Sequence, residues 1–276
     1  MKLALKRVNA TFGAELQDVD LSAPLDEGMG DALRAALTEH LVLFARNQHL
    51  DPEAHLALAR VFGEPMIHPF EAALGRTDPL HRIVDRPEDT PDRAGWHTDD
   101  SYLTSPPVAA ILCCEVAPEV GGDTAWANMV QAFENLSPSM QAYLRSLHGF
   151  HAADGKLMSY MRDHLEPEVV TKVMQAIGSG ATHPIIRTHP LSGKQAVYSE
   201  PNFLTRIVGL PESESLFVRQ FLARLPMDVS LQCRFRWSAG DVAIWDERMT
   251  QHTGSADHAG RHRVLRRCTV GEASSR

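Results

Sequence analysis

The strand series between Leu231 and Val270 constrains this chain more than any other feature. In LQCRFRW the apolar residues Leu231, Cys233, Phe235 and Trp237 alternate with polar ones, the period of a strand with one buried face. A turn at SAGD, the run VAIWDE and the run RVLRRCTV (Arg263 to Val270) complete the series. Upstream, FGAELQDVDLS and LVLFA read as strands, as do PPVAAILCCEV and GGDTAWAN, which a glycine turn is expected to join. HPIIRTHPLSGKQAVYSE has the form of a hairpin around Leu-Ser-Gly-Lys.

Helical spacing appears between the strands. DEGMGDALRAALTEHLV places Leu33, Ala36, Leu37 and Leu41 on one face. DPEAHLALARVFG has Asp51 as an N-cap, Pro52 at the first helical position and Gly63 as a stop. SPSMQAYLRSL, a segment near Glu166 to Ala176, and ESESLFVRQFLARL read as further helices. Residues 64–95 lack periodicity and are rich in Pro, Asp and Arg, so they are expected to form a long binding loop. The expected fold is α+β but mainly β, a sandwich or jelly roll with flanking helices.

At 276 residues, 43% hydrophobic and 22% charged, the chain has the composition of a globular protein. A net charge of −8 argues against general nucleic-acid binding. The N-terminus has no signal-peptide h-region, and no apolar run is long enough to span a membrane. The four cysteines form no CxxC pair, so reduced thiols in a cytoplasmic protein are expected rather than a thiolate zinc site.

The stretch GWHTDDSY, Gly95 to Tyr102, crowds a histidine and two acids together. Two residues apart on a strand share a side, so His97 and Asp99 can present an imidazole and a carboxylate to one metal ion. His252, just after the VAIWDE strand, is the candidate second histidine. Two histidines and one carboxylate form the facial triad that leaves sites open on non-heme Fe(II). Asp100 is given no ligand role. His148, His151, His164, His189 and His262 are taken as structural or surface side chains. Arg263 and Arg267, four apart on one strand, share a face about 13 Å apart and can each hold an oxyanion through a guanidinium fork.

WHTDDSY, GGDTAWAN, HPIIRTHPLSG, AIWDERMTQH and RHRVLRRCTV occur in the order found in the taurine dioxygenase/TfdA family of Fe(II)- and 2-oxoglutarate-dependent dioxygenases, which the chain resembles from about Ala14 to Val270. The resemblance implies one catalytic domain over residues 1–276, a double-stranded β-helix (jelly roll) with extra helices. It implies His97, Asp99 and His252 as iron ligands, and Thr124 and Arg263 as holders of the far carboxylate of 2-oxoglutarate. Arg267 matches the arginine that holds the substrate anion, and His68 and Phe203 match substrate-pocket positions. The chain departs from the taurine-specific pattern at Glu71, where a tyrosine is usual, and at Arg93, where an asparagine is usual. The stretch after His151 departs as well. These departures concern the substrate rather than the reaction type.

The resemblance thus implies O2-dependent hydroxylation of a small organic anion by a homo-oligomer acting with neither nucleic acid nor membrane. An organosulfonate such as taurine, with sulfite released, stands first; alkyl sulfate esters and aryloxyalkanoates are rivals. Two alternatives from other classes are a zinc-type hydrolase on the same scaffold and a non-catalytic binding module. The hydrolase leaves the paired arginines without a purpose.

Overall fold

The computed structural model describes residues 3–90, 95–153 and 156–272. Its central element is a large sheet in which β14 (Val242–Asp246) lies between β3 (Val42–Ala45) and β6 (Ala109–Val116), antiparallel to both. Beyond β6 runs β16 (Arg263–Gly271), which also pairs with β5 (His81–Asp85) and β4 (Glu64–Pro65). Beyond β3 lie β2 (Ala14–Gln17) and β1 (Ala4–Arg7). A second sheet has the order β13 (Gln232–Phe235), β7 (Thr124–Asn128), β15 (Thr250–Gly254). A third contains β12 (Leu204–Ile207), β8 (His148–His151) and β9 (Ala181–Pro184), and β10 (Ile186–Thr188) forms a hairpin with β11 (Gln195–Val197).

The apolar runs of the sequence are explained by burial on both faces of the large sheet. Val42, Phe44, Ala110, Leu112, Ala243 and Trp245 face the second sheet. Phe44 stacks on Phe235 at 4.4 Å, and Trp126 meets Phe44 and Trp245 edge-on at 5.3 and 5.6 Å. The alternate residues Leu43, Ala45, Ile111, Cys113, Val242 and Ile244 pack with Leu33, Leu37, Leu58 and Ala59. Those four belong to α1 (Glu27–His40) and α2 (Pro52–Phe62). A strand covered on both sides shows no polar alternation, so VAAILCCEV reads as one apolar block.

Helix signals survive folding well. Asp26 and Asp51 accept from Met29 N and Ala54 N at the starts of α1 and α2. Two short helices, α3 (Pro69–Ala73) and α4 (Met129–Glu134), precede α5 (Pro138–Arg145), which Ser137 caps. Then come α6 (Lys156–His164), α7 (Pro167–Ile177) and α8 (Glu212–Arg224).

Three expectations change. PPVAAILCCEV and GGDTAWAN do not form a glycine-turn hairpin: β6 belongs to the large sheet and β7 to the second. Residues 64–95 are not one long loop, because they contain β4, α3 and β5. His252 does follow the VAIWD strand, but it lies inside a further strand, β15, that the sequence pattern does not predict. All four cysteines are free and buried, and burial pushes each thiol up to about 12. Among the described residues no helix is long and apolar enough to cross a membrane.

Candidate active site

His97 and His252 meet through a single antiparallel bridge. His97 N donates to His252 O (2.9 Å) and His252 N donates to His97 O (2.8 Å), with the rings 4.1 Å apart. The chain leaves strand geometry immediately afterwards, so Asp99 sits in a turn rather than two places along a regular strand. Thr98 Oγ1 donates to Thr250 O (3.1 Å), and Asp99 N donates to Glu247 Oε2 (3.2 Å), which tie that turn to the β14–β15 connection. Asp100 takes φ 50° as the chain turns.

The result is a convergent triad. One ligand atom from each of His97, Asp99 and His252 lies within 4.8 Å of the others, so the three could hold a metal ion. Both Nε2 atoms face Asp99 Oδ1, at 3.8 Å from His97 and 3.9 Å from His252. His97 Nδ1 is 2.9 Å from Gly95 O. A proton on Nδ1 donated there leaves the Nε2 lone pair free, as a ligating imidazole requires. Burial, and then the His97 ring, hold His252 well below its ordinary value. Burial disfavours the Asp99 carboxylate, but Arg267, His252 and His97 outweigh it and keep the group well below the usual range. Arg267 Nη1 donates to both Asp99 oxygens, at 3.0 and 2.9 Å.

A cavity of about 210 Å3 opens from the two histidines, bounded by Thr124, Arg263, Asp85 and His258, with Leu112 and Leu265 on its apolar wall. Arg263, Leu265 and Arg267 all border it, as the period of two requires. Arg266, on the opposite face, is buried against His55 Nδ1 (3.2 Å) and is structural. Trp237 Nε1 donates to Thr124 Oγ1 (3.0 Å), leaving the hydroxyl proton free to donate into the cavity. The GGDT motif has a steric cause: a Cβ on Gly122 (φ 71°) would lie 2.9 Å from Arg263 Cδ.

Of the remaining sequence candidates, His68 and Phe203 lie around Asp100 and Tyr102. His68 Nε2 is 3.1 Å from Asp100 Oδ1, which also accepts from Tyr102 OH at 2.8 Å. Phe203 packs edge-on against Tyr102 at 4.8 Å. Glu71 is buried and paired with Arg76 (2.6 Å) and His81 (3.3 Å). His81 is the cross-strand partner of Arg267, as Asp85 is of Arg263. Arg93 lies outside the described residues. An apolar cluster containing Tyr102, Met161, Val173 and Ile177 includes Phe70 and Phe203 at its edge.

A model of the family described as taurine catabolism dioxygenase TauD, TfdA family matches residues 4–269. The chain belongs to this family. It is 35% identical over 278 residues to an alpha-ketoglutarate-dependent sulfate ester dioxygenase of Pseudomonas putida, covering 98% of this chain and 90% of the relative. It is 32% identical over 279 residues to an alkylsulfatase of Acinetobacter baylyi, covering 99% and 87%. The crystal structure of a taurine dioxygenase from Burkholderia xenovorans superposes with a TM-score of 0.80 at 33% identity, covering 99% of this chain and 92% of that one. The enzyme is therefore a 2-oxoglutarate-dependent non-heme iron dioxygenase, an oxidoreductase that needs Fe(II), 2-oxoglutarate and O2.

Several side chains around this TauD/TfdA-type site carry no sequence signal of their own. Asp85 sits in HRIVDRPED, whose short strand is masked by proline and charge. Glu247, Trp237 and His258 are single residues brought in by tertiary contacts. Tyr102 lies within GWHTDDSY, just beyond His97 and Asp99. His189 is structural, as expected: its ring lies 3.0 Å from Asp246 Oδ2, and its Nδ1 accepts from Leu191 N and Ser192 N.

Glu200 is a further case with a measurable consequence. Its buried carboxylate accepts from Asn202 Nδ2 (2.6 Å) and Phe203 N, fixing the turn that carries Phe203. Burial pushes it up to about 7, the two backbone N–H groups and the Asn202 side chain offsetting only part of the effect. Because the folded value lies above the ordinary one, the folded state holds the extra proton between about 4.5 and 7. Stability from this group is complete below that window and lost as pH rises through about 7. Glu200→Gln removes the ionisation, so its melting temperature relative to wild type is expected to rise from pH 5 to pH 8. The limit is about 3 kcal/mol. A difference that does not change with pH contradicts this assignment.

Proposed function

We propose that the dioxygenase oxidises an alkyl sulfate ester at the carbon bearing the ester oxygen, releasing an aldehyde and sulfate. The single observation that carries this reading is the placement of Arg267 beside Asp99, with the carboxylates on that side already engaged. Glu71 is held by Arg76 and His81, and Asp100 by His68 and Tyr102. An anionic head group thus has a guanidinium to bind, whereas a substrate ammonium such as that of taurine finds no free carboxylate among these residues. Phe70 and Phe203, partly buried at the edge of the apolar cluster, offer surface for an alkyl tail. The two bacterial relatives, a sulfate ester dioxygenase and an alkylsulfatase by name, support the same order, so sulfate esters move ahead of the organosulfonates that the family resemblance puts first. The solved taurine dioxygenase keeps organosulfonates as the second reading. The zinc hydrolase finds no support among these relatives, and it has no use for Arg263 and Thr124.

In this reading His97 and His252 hold Fe(II) through Nε2, and Asp99 completes the set. The iron, with 2-oxoglutarate bound, supplies the activation of dioxygen. Arg263 and Thr124 bind the far carboxylate of 2-oxoglutarate through a charged fork and a hydroxyl donor. Arg267 turns an N–H toward the sulfate and, with His68 and Phe203, fixes the substrate carbon; displacement by about 1 Å costs rate steeply. Leu112, Trp245 and Leu265 form the apolar part of the cavity lining. Hydroxylation of the ester carbon gives a hemiacetal sulfate, whose C–O bond to sulfate breaks as the hydroxyl proton leaves. One oxygen atom of O2 enters the ester carbon and the other enters succinate, so the products are the aldehyde, sulfate and a proton together with succinate and carbon dioxide.

The face-to-face sheets are read as a double-stranded β-helix forming one catalytic domain across residues 1–276. The same reading takes the protein as a cytoplasmic homo-oligomer; four buried free thiols suit a reducing compartment.

A panel of alkyl sulfates, sulfonates and aryloxy acids, scored for substrate-dependent succinate, tests the reading. Alkyl sulfates are expected to give succinate and sulfate in equal amounts, with the highest kcat/KM of the panel. Coupled succinate with sulfite as the main inorganic product moves the assignment to sulfonates. Turnover without oxygen ends the dioxygenase reading.

A further inference from the structure

The groups behind Arg263 are themselves arranged for a task. Asp85 on β5 lies directly across the ladder from Arg263. Its Oδ2 accepts from Arg263 Nη1 at 3.2 Å and lies 3.1 Å from His258 Nε2. Arg263 Nε and His258 Nδ1 are buried with no partner among the described residues. Both side chains are almost fully enclosed, and both border the cavity that also contains Thr124.

We propose that Asp85 and His258 are positioning residues for the cosubstrate. Asp85 holds Nη1 of Arg263, His258 donates to Asp85, and the pair fixes the guanidinium so that its other terminal nitrogen, Nη2, meets the far carboxylate. This rests on the assignment of the cavity to 2-oxoglutarate.

The choice of nitrogen favours positioning over competition. A guanidinium recognises a carboxylate through two parallel N–H groups. Its side-on edge consists of Nε and Nη2, and Asp85 takes neither. Nε is enclosed against Gly122 without an acceptor, so Nη2 is the nitrogen left to face the cavity. The Asp85 charge is shared between two donors, which limits its repulsion of the dicarboxylate. Arg263 itself lies against Gly122, whose N–H is fixed by Asp257 Oδ1 at 2.9 Å. The guanidinium is therefore held from two sides.

The test compares Asp85→Ala, Asp85→Asn, His258→Ala and His258→Gln with wild type. The readouts are KM for 2-oxoglutarate, KM for the sulfate ester, kcat, and calorimetric binding of N-oxalylglycine to Mn(II)-loaded protein. Asp85→Ala is expected to raise KM for 2-oxoglutarate and the N-oxalylglycine Kd about tenfold or more, the scale of one hydrogen bond to a charged group. The KM of the ester and kcat at saturating 2-oxoglutarate should stay within about twofold. Asp85→Asn keeps an acceptor and His258→Gln keeps a donor, so each should restore most of the affinity that its alanine counterpart loses. If Asp85→Ala tightens 2-oxoglutarate, Asp85 is a competitor and the proposal fails. It fails equally if the alanine variants bind N-oxalylglycine like wild type, or if all kinetic constants fall together with folded fraction. A wild-type enzyme whose turnover ignores 2-oxoglutarate overturns the cavity assignment, a separate outcome.

Discussion

Asp99→Ala is expected to abolish substrate-dependent succinate formation and to lower the stability of the metal-free protein as well. The first effect follows from the triad. With Asp99 gone, two imidazoles alone face the metal position, and the loss should exceed the roughly 10–100-fold typical of an outer partner of a ligand. The second effect follows from Arg267. Its guanidinium is mostly buried and donates to both Asp99 oxygens, at 3.0 and 2.9 Å. Removing one partner of a buried ion pair leaves an uncompensated charge, which costs about 3–5 kcal/mol. Arg267 keeps some solvent access, so the lower end applies, a fall of about 6 °C or more in melting temperature for a chain of this size. Asp99→Asn should lose turnover but recover part of the stability, because one oxygen still accepts from Arg267. Thermal unfolding with a chelator present, alongside a succinate assay, separates the two effects. An Asp99→Ala protein that melts like wild type in chelator shows that the ion pair contributes nothing.

The triad was legible in sequence because its chemistry is encoded in rare residue types close to turns, but the local geometry behind it was not. His97 and Asp99 were placed on one strand face. In the structure a single bridge to His252 positions His97, and a turn positions Asp99 through Thr98 and Glu247. The convergence of the three side chains is therefore set by tertiary contacts that a two-residue period does not describe. The large sheet was legible from apolar runs, because burial on both faces leaves a long unbroken signal. Strand β5 was not, since only part of its side-chain surface is covered and Pro, Asp and Arg surround it. That omission matters at the site, because β5 contributes the cross-strand neighbours of both arginines, Asp85 and His81. The steric demand on Gly122 could have been suspected from GGDT, whereas its partner Arg263 is more than a hundred residues away. Glu247 and Trp237 are ordinary residues in sequence, and only their hydrogen bonds to Asp99 N and Thr124 Oγ1 mark them.

Arg267→Ala and Arg263→Ala should divide the two cosubstrates between them. The arginines share one strand face, but their surroundings differ. Arg267 lies on Asp99, close to the side where His68, Tyr102 and Phe203 meet around Asp100. Arg263 lies at the far end of the cavity with Thr124, Asp85 and His258. Losing a charge-assisted hydrogen bond costs about 1.5–3 kcal/mol, which corresponds to roughly 10- to 150-fold in affinity. Arg267→Ala is thus expected to raise KM for the alkyl sulfate by at least about tenfold while KM for 2-oxoglutarate moves little; Arg263→Ala should do the reverse. A fall in kcat for Arg267→Ala is also expected, because the lost contact holds the reacting carbon in place as well as binding the substrate. Lysine at either position should restore charge but not the paired N–H geometry, so recovery should be partial. Steady-state kinetics with each substrate varied against saturating amounts of the other provides the measurement. If both alanine variants raise both KM values in the same proportion, the two ends of the pocket are not separate, and the placement of sulfate at Arg267 and 2-oxoglutarate at Arg263 is wrong.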